Sequence, residues 1–214
     1  IKRLSQQHHH IVLETPKLYK ELSLPTALAD QFNLQWVHNI LDGTREKERI
    51  VFDDPNEETG FVIVPDLKWD GTSPETLYLL AIVRKKGIKC LRDLDASHLP
   101  LLKNVRDKGK KAICDKYNLT DSRLRIFLHY HPSFYHLHIH FSYIQYDAPG
   151  IHVERAHLLD TVIYNIELQS NYYKMAHIPF ILRSMDTLYK AYETAGHVVS
   201  PKPANNVEKD ASVK

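Results

Sequence analysis

The sequence predicts an α+β fold in which helices pack on an antiparallel β-sheet. Short apolar segments of strand length, separated by short turns, fill residues 34–83, and longer segments with helical apolar spacing follow them. Turns this short join antiparallel strands, because parallel strands need a crossover of about a dozen residues or more. A run of strands, then a helix, two more strands and further helices is typical of the α+β class.

The predicted sheet has four early strands and two later ones. The segment 77–83 is a continuous apolar run, which is typical of a strand buried on both faces. A turn is predicted at 53–56, and a bend at Pro132 and Ser133 separates the two later strands. The six predicted strands cover residues 34–41, 49–52, 60–65, 77–83, 124–128 and 135–144.

Three helices are predicted, over residues 98–117, 153–166 and 184–195. In the first, most basic side chains lie away from the apolar stripe, so we expect a solvated face and not a nucleic-acid patch. The residues before 30 have only a weak helical pattern. Those from Val198 onward are polar and are expected to form a flexible tail.

The composition is that of a globular protein, with 43% hydrophobic and 25% charged residues among 214. A net charge of +2 does not favour DNA as a partner, and no apolar run approaches the roughly 20 residues of a membrane span. Cys90 and Cys114 have no metal or redox spacing, so we expect two free thiols in a reducing cytosol. The consecutive histidines 8–10 do not converge on one face and do not predict a metal site.

The most informative feature is a histidine row made of His136, His138 and His140. Alternate side chains of a strand share a face at about 7 Å spacing, so a strand here presents three imidazoles together. The apolar residues between them anchor the opposite face in the core. His129, on the preceding predicted strand, is expected to pair beside the row.

The residues alone leave three interpretations of the histidine row. In the first, the histidines lie on a solvated sheet face. In the second, they ligate zinc with a further ligand from elsewhere. In the third interpretation, a neutral imidazole attacks phosphorus and forms a phosphoramidate, while neighbouring protonated histidines stabilise the phosphate oxygens. Strict alternation beside an apolar face favours the third. No carboxylate adjoins the row to serve as the base of a zinc-bound water.

The stretch from His136 to Ser142 matches the histidine triad pattern, in which three histidines alternate with apolar residues. The wider segment 128–141 and the segments 34–42, 65–69 and 153–159 resemble the scavenger mRNA decapping enzyme family, in order along the chain. The resemblance runs from about residue 10 to 195. It implies the histidine triad-like variant of the α+β fold.

The resemblance implies hydrolysis of the cap m7GpppN, free or on short RNA fragments, to m7GMP and a nucleoside or oligonucleotide diphosphate during mRNA decay. No metal or other cofactor is required in that family. His138 matches the nucleophile, His136 and His140 flank it, and His129 and Ser133 match phosphate-contacting residues. The family usually has Tyr where this chain has Phe134, so one phosphate-contacting hydroxyl is absent.

Cap recognition is implied for a second group of residues. Trp36 matches the side chain that stacks on the positively charged methylguanine, an arrangement favoured by cation–π attraction, with Leu67 on the opposite side. Glu46 matches the acceptor for the base donors, Asp66 a ribose-hydroxyl acceptor, and Lys68 a phosphate contact.

The resemblance also implies an organisation. Residues 1–30 are expected to be a hinge and the remnant of a swapped N-terminal domain, 31–197 the catalytic domain and 198–214 the tail. The chain begins with Ile1 and not Met, which fits an N-terminal truncation. A homodimer is expected, located in the cytoplasm with the nucleus as a second compartment. The alternatives are a non-catalytic cap-binding paralogue that acts as a heterodimer, and a triad hydrolase of other dinucleoside polyphosphates or of nucleoside phosphoramidates.

Overall fold

A computed structural model of the chain describes residues 7–29 and 34–199. Residues 1–6, 30–33 and 200–214, which include parts of the predicted hinge and most of the predicted tail, lie outside the described residues. The strands are β1 (His9–Glu14), β2 (Phe52–Asp53), β3 (Phe61–Pro65), β4 (Tyr78–Val83), β5 (Leu124–His129), β6 (His138–Tyr143), β7 (Ala156–Leu158) and β8 (Ile178–Arg183).

Helices of different lengths connect these strands. The α-helices are α1 (Pro16–Leu18), α2 (Leu24–Ala29), α3 (Gln35–Leu41), α4 (Leu99–Tyr117), α5 (Leu159–Leu168), α6 (Tyr172–Met175) and α7 (Thr187–Thr194). A π-helical stretch, Tyr19–Ser23, joins the first two. Single 3₁₀ turns lie at Lys47–Arg49, Pro74–Thr76, Leu91–Asp93, Ala96–His98 and Asp121–Arg123.

A six-stranded antiparallel sheet with the order β2-β3-β4-β6-β5-β7 forms the centre of the structure. Its strands separate two apolar clusters, because alternate side chains point to opposite faces. The larger cluster contains α4 and α5, and the smaller one packs α3 against β3 and β4. Gly109 lets α4 lie close to the sheet, since an added Cβ would stand 2.8 Å from Phe141. The predicted α+β fold with helices on an antiparallel sheet is confirmed.

Five predicted elements, two helices and three strands, are confirmed with small shifts of their ends. The helix predicted over 98–117 is α4, that over 184–195 is α7, and the strands predicted over 60–65, 77–83 and 124–128 are β3, β4 and β5. The predicted free thiols are also confirmed.

The strand predicted over residues 34–41 is wrong, because this segment is helix α3. Its buried residues Val37, Ile40 and Leu41 follow the helical spacing of three and four residues and face the sheet. The strand predicted over 49–52 is reduced to β2, after a 3₁₀ turn, so that Asp53 belongs to a strand and not to the predicted turn.

Two further boundaries are corrected. The helix predicted over 153–166 begins only at Leu159, because Ala156–Leu158 is the edge strand β7 and pairs with β5. The strand predicted over 135–144 begins at His138, so His136 precedes it. The sequence also did not predict β1 and β8, which form a separate two-stranded antiparallel sheet from opposite ends of the chain.

Candidate active site

The histidine row lies partly on β6, at the centre of the sheet. His138 pairs with Ile82 and His140 with Leu80 of β4, on the face that α3 covers. Ile139 and Phe141 point to the opposite face and are fully buried. The strand therefore holds two imidazoles on a rigid, buried support, which is the arrangement that the alternating sequence predicts.

His138 has the geometry of a neutral imidazole with a defined tautomer. Its Nδ1–H donates to the backbone carbonyl of His136 at 2.8 Å, which leaves the lone pair on Nε2. That Nε2 is buried and has no hydrogen-bond partner among the described residues. Burial lowers the pKa of His138 to about 4, although the bond to the His136 carbonyl opposes this shift. At neutral pH the nitrogen is therefore unprotonated and nucleophilic.

His136 contributes its backbone to the site and directs its side chain elsewhere. Its Nε2–H donates to the carbonyl of Val83 at 2.7 Å, and its ring lies 6.4 Å from that of His38. His136 precedes β6, so it does not belong to the strand alternation of His138 and His140. It contacts His138 through its backbone carbonyl.

His129 and His140 form a close pair beside His138. Their ring centroids are 4.0 Å apart, and the ring of His138 is 5.0 Å from that of His140. The Tyr78 hydroxyl meets Nδ1 of His140 at 3.0 Å. Burial lowers the pKa of both histidines, that of His129 to about 3, and repulsion from neighbouring basic groups adds to the effect.

Both imidazoles of this pair are thus neutral when no anion is present. The Nε2 atoms of His129 and His140 have no partner among the described residues. A phosphate placed between them would favour their protonated forms, because an opposite charge raises the pKa of a histidine. The expectation of protonated histidines around the phosphate therefore applies to the occupied site.

A stack of aromatic rings joins the histidines to Trp36. The ring of Phe134 lies 3.8 Å from that of His138 at an interplanar angle of 15°, and Trp36 contacts Phe134 edge-on at 4.8 Å. Trp36 is 40% exposed, so much of its indole remains available to a ligand. Ser133, next to Phe134, is exposed at the same loop.

The other residues that the resemblance implies for cap binding lie around the ends of β3. Glu46 is held by Arg49 at 2.8 Å, and the guanidinium of Arg49 also reaches the Pro65 carbonyl. Asp66 is buried and accepts the backbone N–H of Lys68 at 2.8 Å. Leu67 is 86% exposed.

Lys68 connects this region with the histidines through its charge. Repulsion from its positive charge contributes to the lowered pKa values of His129 and His140. Glu46 is oriented by Arg49 and is not joined directly to the stack of aromatic rings. The contacts on this face therefore connect Trp36 to His138 through Phe134, and Lys68 to His129 and His140 through its charge.

Arg155 and Gly150 are site residues that the sequence analysis did not single out. Arg155 is half-buried, desolvation lowers its pKa, and its buried Nε has no partner among the described residues. Its charge also lowers the pKa values of His129, His138 and His140. Gly150, at φ +84°, approaches His129 so closely that an added Cβ would lie 2.6 Å from Nε2. Arg155 lies in the segment 153–159 that resembles the family, and this position is the signal in the sequence that could have identified it.

A cavity of about 560 Å³ lies beside the candidate site, and His129, His138 and His140 do not line it. Ser133, Phe134 and Arg155 line it, together with residues of β8 and α7. A second cavity of about 350 Å³ has Lys86, Lys89 and His136 among its lining residues.

Neither a metal centre nor a membrane span is evident in residues 7–29 and 34–199. There, no group of three or more His, Cys, Asp or Glu side chains is placed to bind a metal ion. None of the helices in these ranges has the length and apolar character needed to cross a bilayer.

Comparisons with known proteins match this site and the elements that hold it. The family model described as "Scavenger mRNA decapping enzyme C-term binding" matches residues 35–156, more than half of the chain. Proteins named m7GpppX diphosphatase are 45% identical in Sus scrofa, over 91% of this chain and 58% of that protein, and 44% identical in Ascaris suum, over 89% and 63%. The Homo sapiens protein of the same name is 43% identical, over 91% and 58%.

The chain thus spans about three fifths of the length of these relatives. A solved structure titled "Hnt3 in complex with DNA and guanosine" is a more distant match, with a TM-score of 0.41 and 13% identity over 74% of this chain and 93% of that one. The match of the family model shows that the chain belongs to the scavenger mRNA decapping enzyme C-terminal family.

Proposed function

We propose that this protein hydrolyses the cap m7GpppN, free or on short RNA fragments, to m7GMP and a nucleoside or oligonucleotide diphosphate in mRNA decay. The observation that carries the proposal is His138, whose Nδ1–H is held by a backbone carbonyl while Nε2 keeps its lone pair. Relatives that bear the name m7GpppX diphosphatase support the substrate class.

The proposed reaction has two steps at one phosphorus atom. Nε2 of His138 attacks the phosphate attached to 7-methylguanosine, and the P–O bond to the rest of the triphosphate breaks. Its electron pair leaves on the oxygen of the diphosphate product. Water then attacks the phosphoramidate, loses a proton and displaces Nε2, which gives m7GMP and restores the neutral imidazole.

The charge that develops on the phosphate oxygens has several partners in this site. His129 and His140 lie beside the nucleophile, and the charges of Lys68 and Arg155 are close enough to lower the pKa values of both histidines. Donors already held in place stabilise such a charge without reorganisation during the reaction. This chemistry is carried by side chains alone, and we propose that it proceeds without a metal ion.

We propose that Trp36 and Leu67 sandwich the methylated base. Both side chains expose apolar surface, and the positive charge of 7-methylguanine favours the indole over an aliphatic partner. Glu46 accepts the base donors, Asp66 a ribose hydroxyl, and Ser133 donates to phosphate. These assignments rest on the position of each residue in the matched family segment.

A homodimer, with a heterodimer as the alternative, is the assembly we propose for the whole protein. The exposed apolar side chains Ile11 and Leu13 on β1 and Met185 beside β8 support a partner at the two-stranded sheet. We also propose that residues 1–30 form a hinge that follows an N-terminal domain, that 31–197 are the catalytic domain and 198–214 a tail, and that the protein acts in the cytoplasm and in the nucleus.

The proposed function is tested by incubating the protein with m7GpppG and with unmethylated GpppG in the presence of a chelator. We expect m7GMP and GDP from the first, and a lower kcat/KM for the second. Faster hydrolysis of GpppG would favour a hydrolase of other dinucleoside polyphosphates. Tight binding of m7GpppG without any product would favour the non-catalytic paralogue.

A further inference from the structure

A second cluster of buried polar groups lies beside the active site and is centred on Glu14. This residue of β1 is fully buried, and its carboxylate accepts from Arg92 at 2.9 Å. Hydroxyl groups of Ser23, Tyr130 and Tyr192 also donate to it. Burial raises its pKa, but the hydrogen bonds and the charge of His131 outweigh this and lower the pKa to about 2. Glu14 is therefore an ionised anchor in the core.

His131 connects this anchor to the loop between β5 and β6, residues 130–137, which we call the triad loop. Its Nε2–H donates to Glu14 at 3.0 Å, and its Nδ1 meets the Tyr135 hydroxyl at 3.2 Å. The ring also stacks on Tyr130 and packs against Phe180 of β8. The imidazole of His131 thus connects two positions of the triad loop, His131 and Tyr135, to the β1–β8 sheet.

The segment between His131 and Tyr135 contains the residues that cover the nucleophile. Ser133 and Phe134 lie within it, and the Phe134 ring stacks directly on His138. The Nε2 atom of His138 is buried beneath this arrangement. The position of Phe134, and with it the hydration of His138, depends on how firmly the triad loop is held.

We propose that His131 is a positioning residue, which holds the triad loop so that Phe134 shields His138 from water and Ser133 faces the phosphate. His131 acts through Glu14 and Tyr135 and does not itself touch the reacting atoms. Only the kinetic part of this inference depends on the proposed function. The hydration of His138 can be measured without any substrate.

The test is the titration of His138 by NMR in the unliganded full-length protein, with His131→Leu, Phe134→Ala and the exposed His177→Leu as variants. His138 should titrate at low pH in the unsubstituted protein and in His177→Leu. In Phe134→Ala, which removes the shielding ring, and in His131→Leu, its pKa should rise toward the ordinary value of about 6.5. His131→Gln, which keeps a donor to Glu14, should restore part of the low value.

If Phe134→Ala raises the pKa of His138 and a folded His131→Leu does not, the positioning role is wrong. Tyr135→Phe removes one of the two contacts and supplies a milder variant, with a smaller rise, should His131→Leu fail to fold. Circular dichroism and the Tm decide whether each variant is folded.

The kinetic readout is the low-pH limb of kcat/KM for m7GpppG, which reports groups of the free enzyme. If His138 titrates near 6.5 in His131→Leu, lowering the pH from 8 to 6 should reduce kcat/KM about fourfold more than in the unsubstituted protein. An identical pH profile would contradict the inference. Absence of hydrolysis in all proteins, including the unsubstituted one, would instead contradict the proposed function and leave the NMR test decisive for His131.

Discussion

The Glu14 cluster and the histidine row are both buried and polar, but they differ in whether their polar atoms have hydrogen-bond partners. In the Glu14 cluster each carboxylate oxygen and each guanidinium nitrogen has hydrogen-bond partners, several of them backbone carbonyls. In the histidine row and its neighbour His129, three Nε2 atoms have none among the described residues. Unpaired buried polar atoms cost free energy, so proteins keep few of them without a functional reason.

The difference separates structure from chemistry within one molecule. The Glu14 cluster stabilises the contact between the β1–β8 sheet and the triad loop, because buried charges persist only when they are paired. The histidines retain unsatisfied nitrogens that a phosphate would satisfy. Four predictions test this contrast, in order of decreasing effect.

The largest effect is expected at the nucleophile. His138→Asn should reduce kcat for m7GpppG by at least about 1000-fold, because an amide cannot form the covalent bond to phosphorus that the proposed mechanism assigns to Nε2 of His138. The fold should persist, since the substitution leaves the pairing of the Glu14 cluster unchanged. Formation of m7GMP, followed by chromatography, measures kcat, and the Tm measures the stability of the fold. Retention of full turnover would show that His138 is not the nucleophile.

Breaking the Glu14 cluster should affect stability instead. Arg92→Ala should lower the free energy of unfolding by about 3–5 kcal/mol, because Glu14 would remain buried without its main cationic partner. Urea unfolding of the variant measures this change, and Arg45→Ala at an exposed position is the matched control. A loss below about 1 kcal/mol would mean that the cluster relaxes or hydrates easily.

The pH dependence of stability should distinguish the two regions. Burial lowers the pKa values of His138 and His129 in the folded protein, so the unfolded chain binds protons first as the pH falls below about 6.5. Lowering the pH from 7.5 to 5 should therefore cost about 2 kcal/mol through His138, and His138→Asn should remove this part. Glu14 has the same sign but acts in a lower pH window, because its stabilising effect is present above about 4.5 and is lost as the pH falls toward 2. Urea unfolding at several pH values measures both, and equal slopes in the variant and the unsubstituted protein would contradict the assignment to His138.

The smallest effect is expected at the cap-binding end of the stack of aromatic rings. Trp36→Ala should weaken binding of m7GpppG about 3- to 30-fold, the range of one cation–π contact, and weaken binding of GpppG less. The pKa of His138 should change little, since Phe134 and not Trp36 lies on its ring. Calorimetry with both ligands on a His138→Asn background checks the ratio. Equal losses of affinity for the two ligands would show that Trp36 does not discriminate between the methylated and the unmethylated base.

Much of the site could be predicted before any coordinates, because strand alternation places His138 and His140 together whatever surrounds them. The sequence could not show that His136 precedes the strand and acts through its carbonyl, since the end of a strand depends on where its neighbours stop pairing. Residues 34–41 were misread as a strand because short apolar segments suit both periodicities, and α3 is helical through its packing on β3 and β4. Arg155 was overlooked because a single arginine in a sequence shows neither burial nor an unpaired nitrogen.

The sequence by itself determined the α+β class, the long helix α4, the central strands and the identity of the histidine row, because these depend on local periodicity and on residue type. Only the tertiary structure decided which nitrogen of His138 carries the lone pair, how burial lowers its pKa, and which loop covers it. It also decided the pairing of β1 with β8, which joins residues near the two ends of the described chain. Contacts of this kind connect distant segments, and their energies depend on burial and geometry that no local pattern contains.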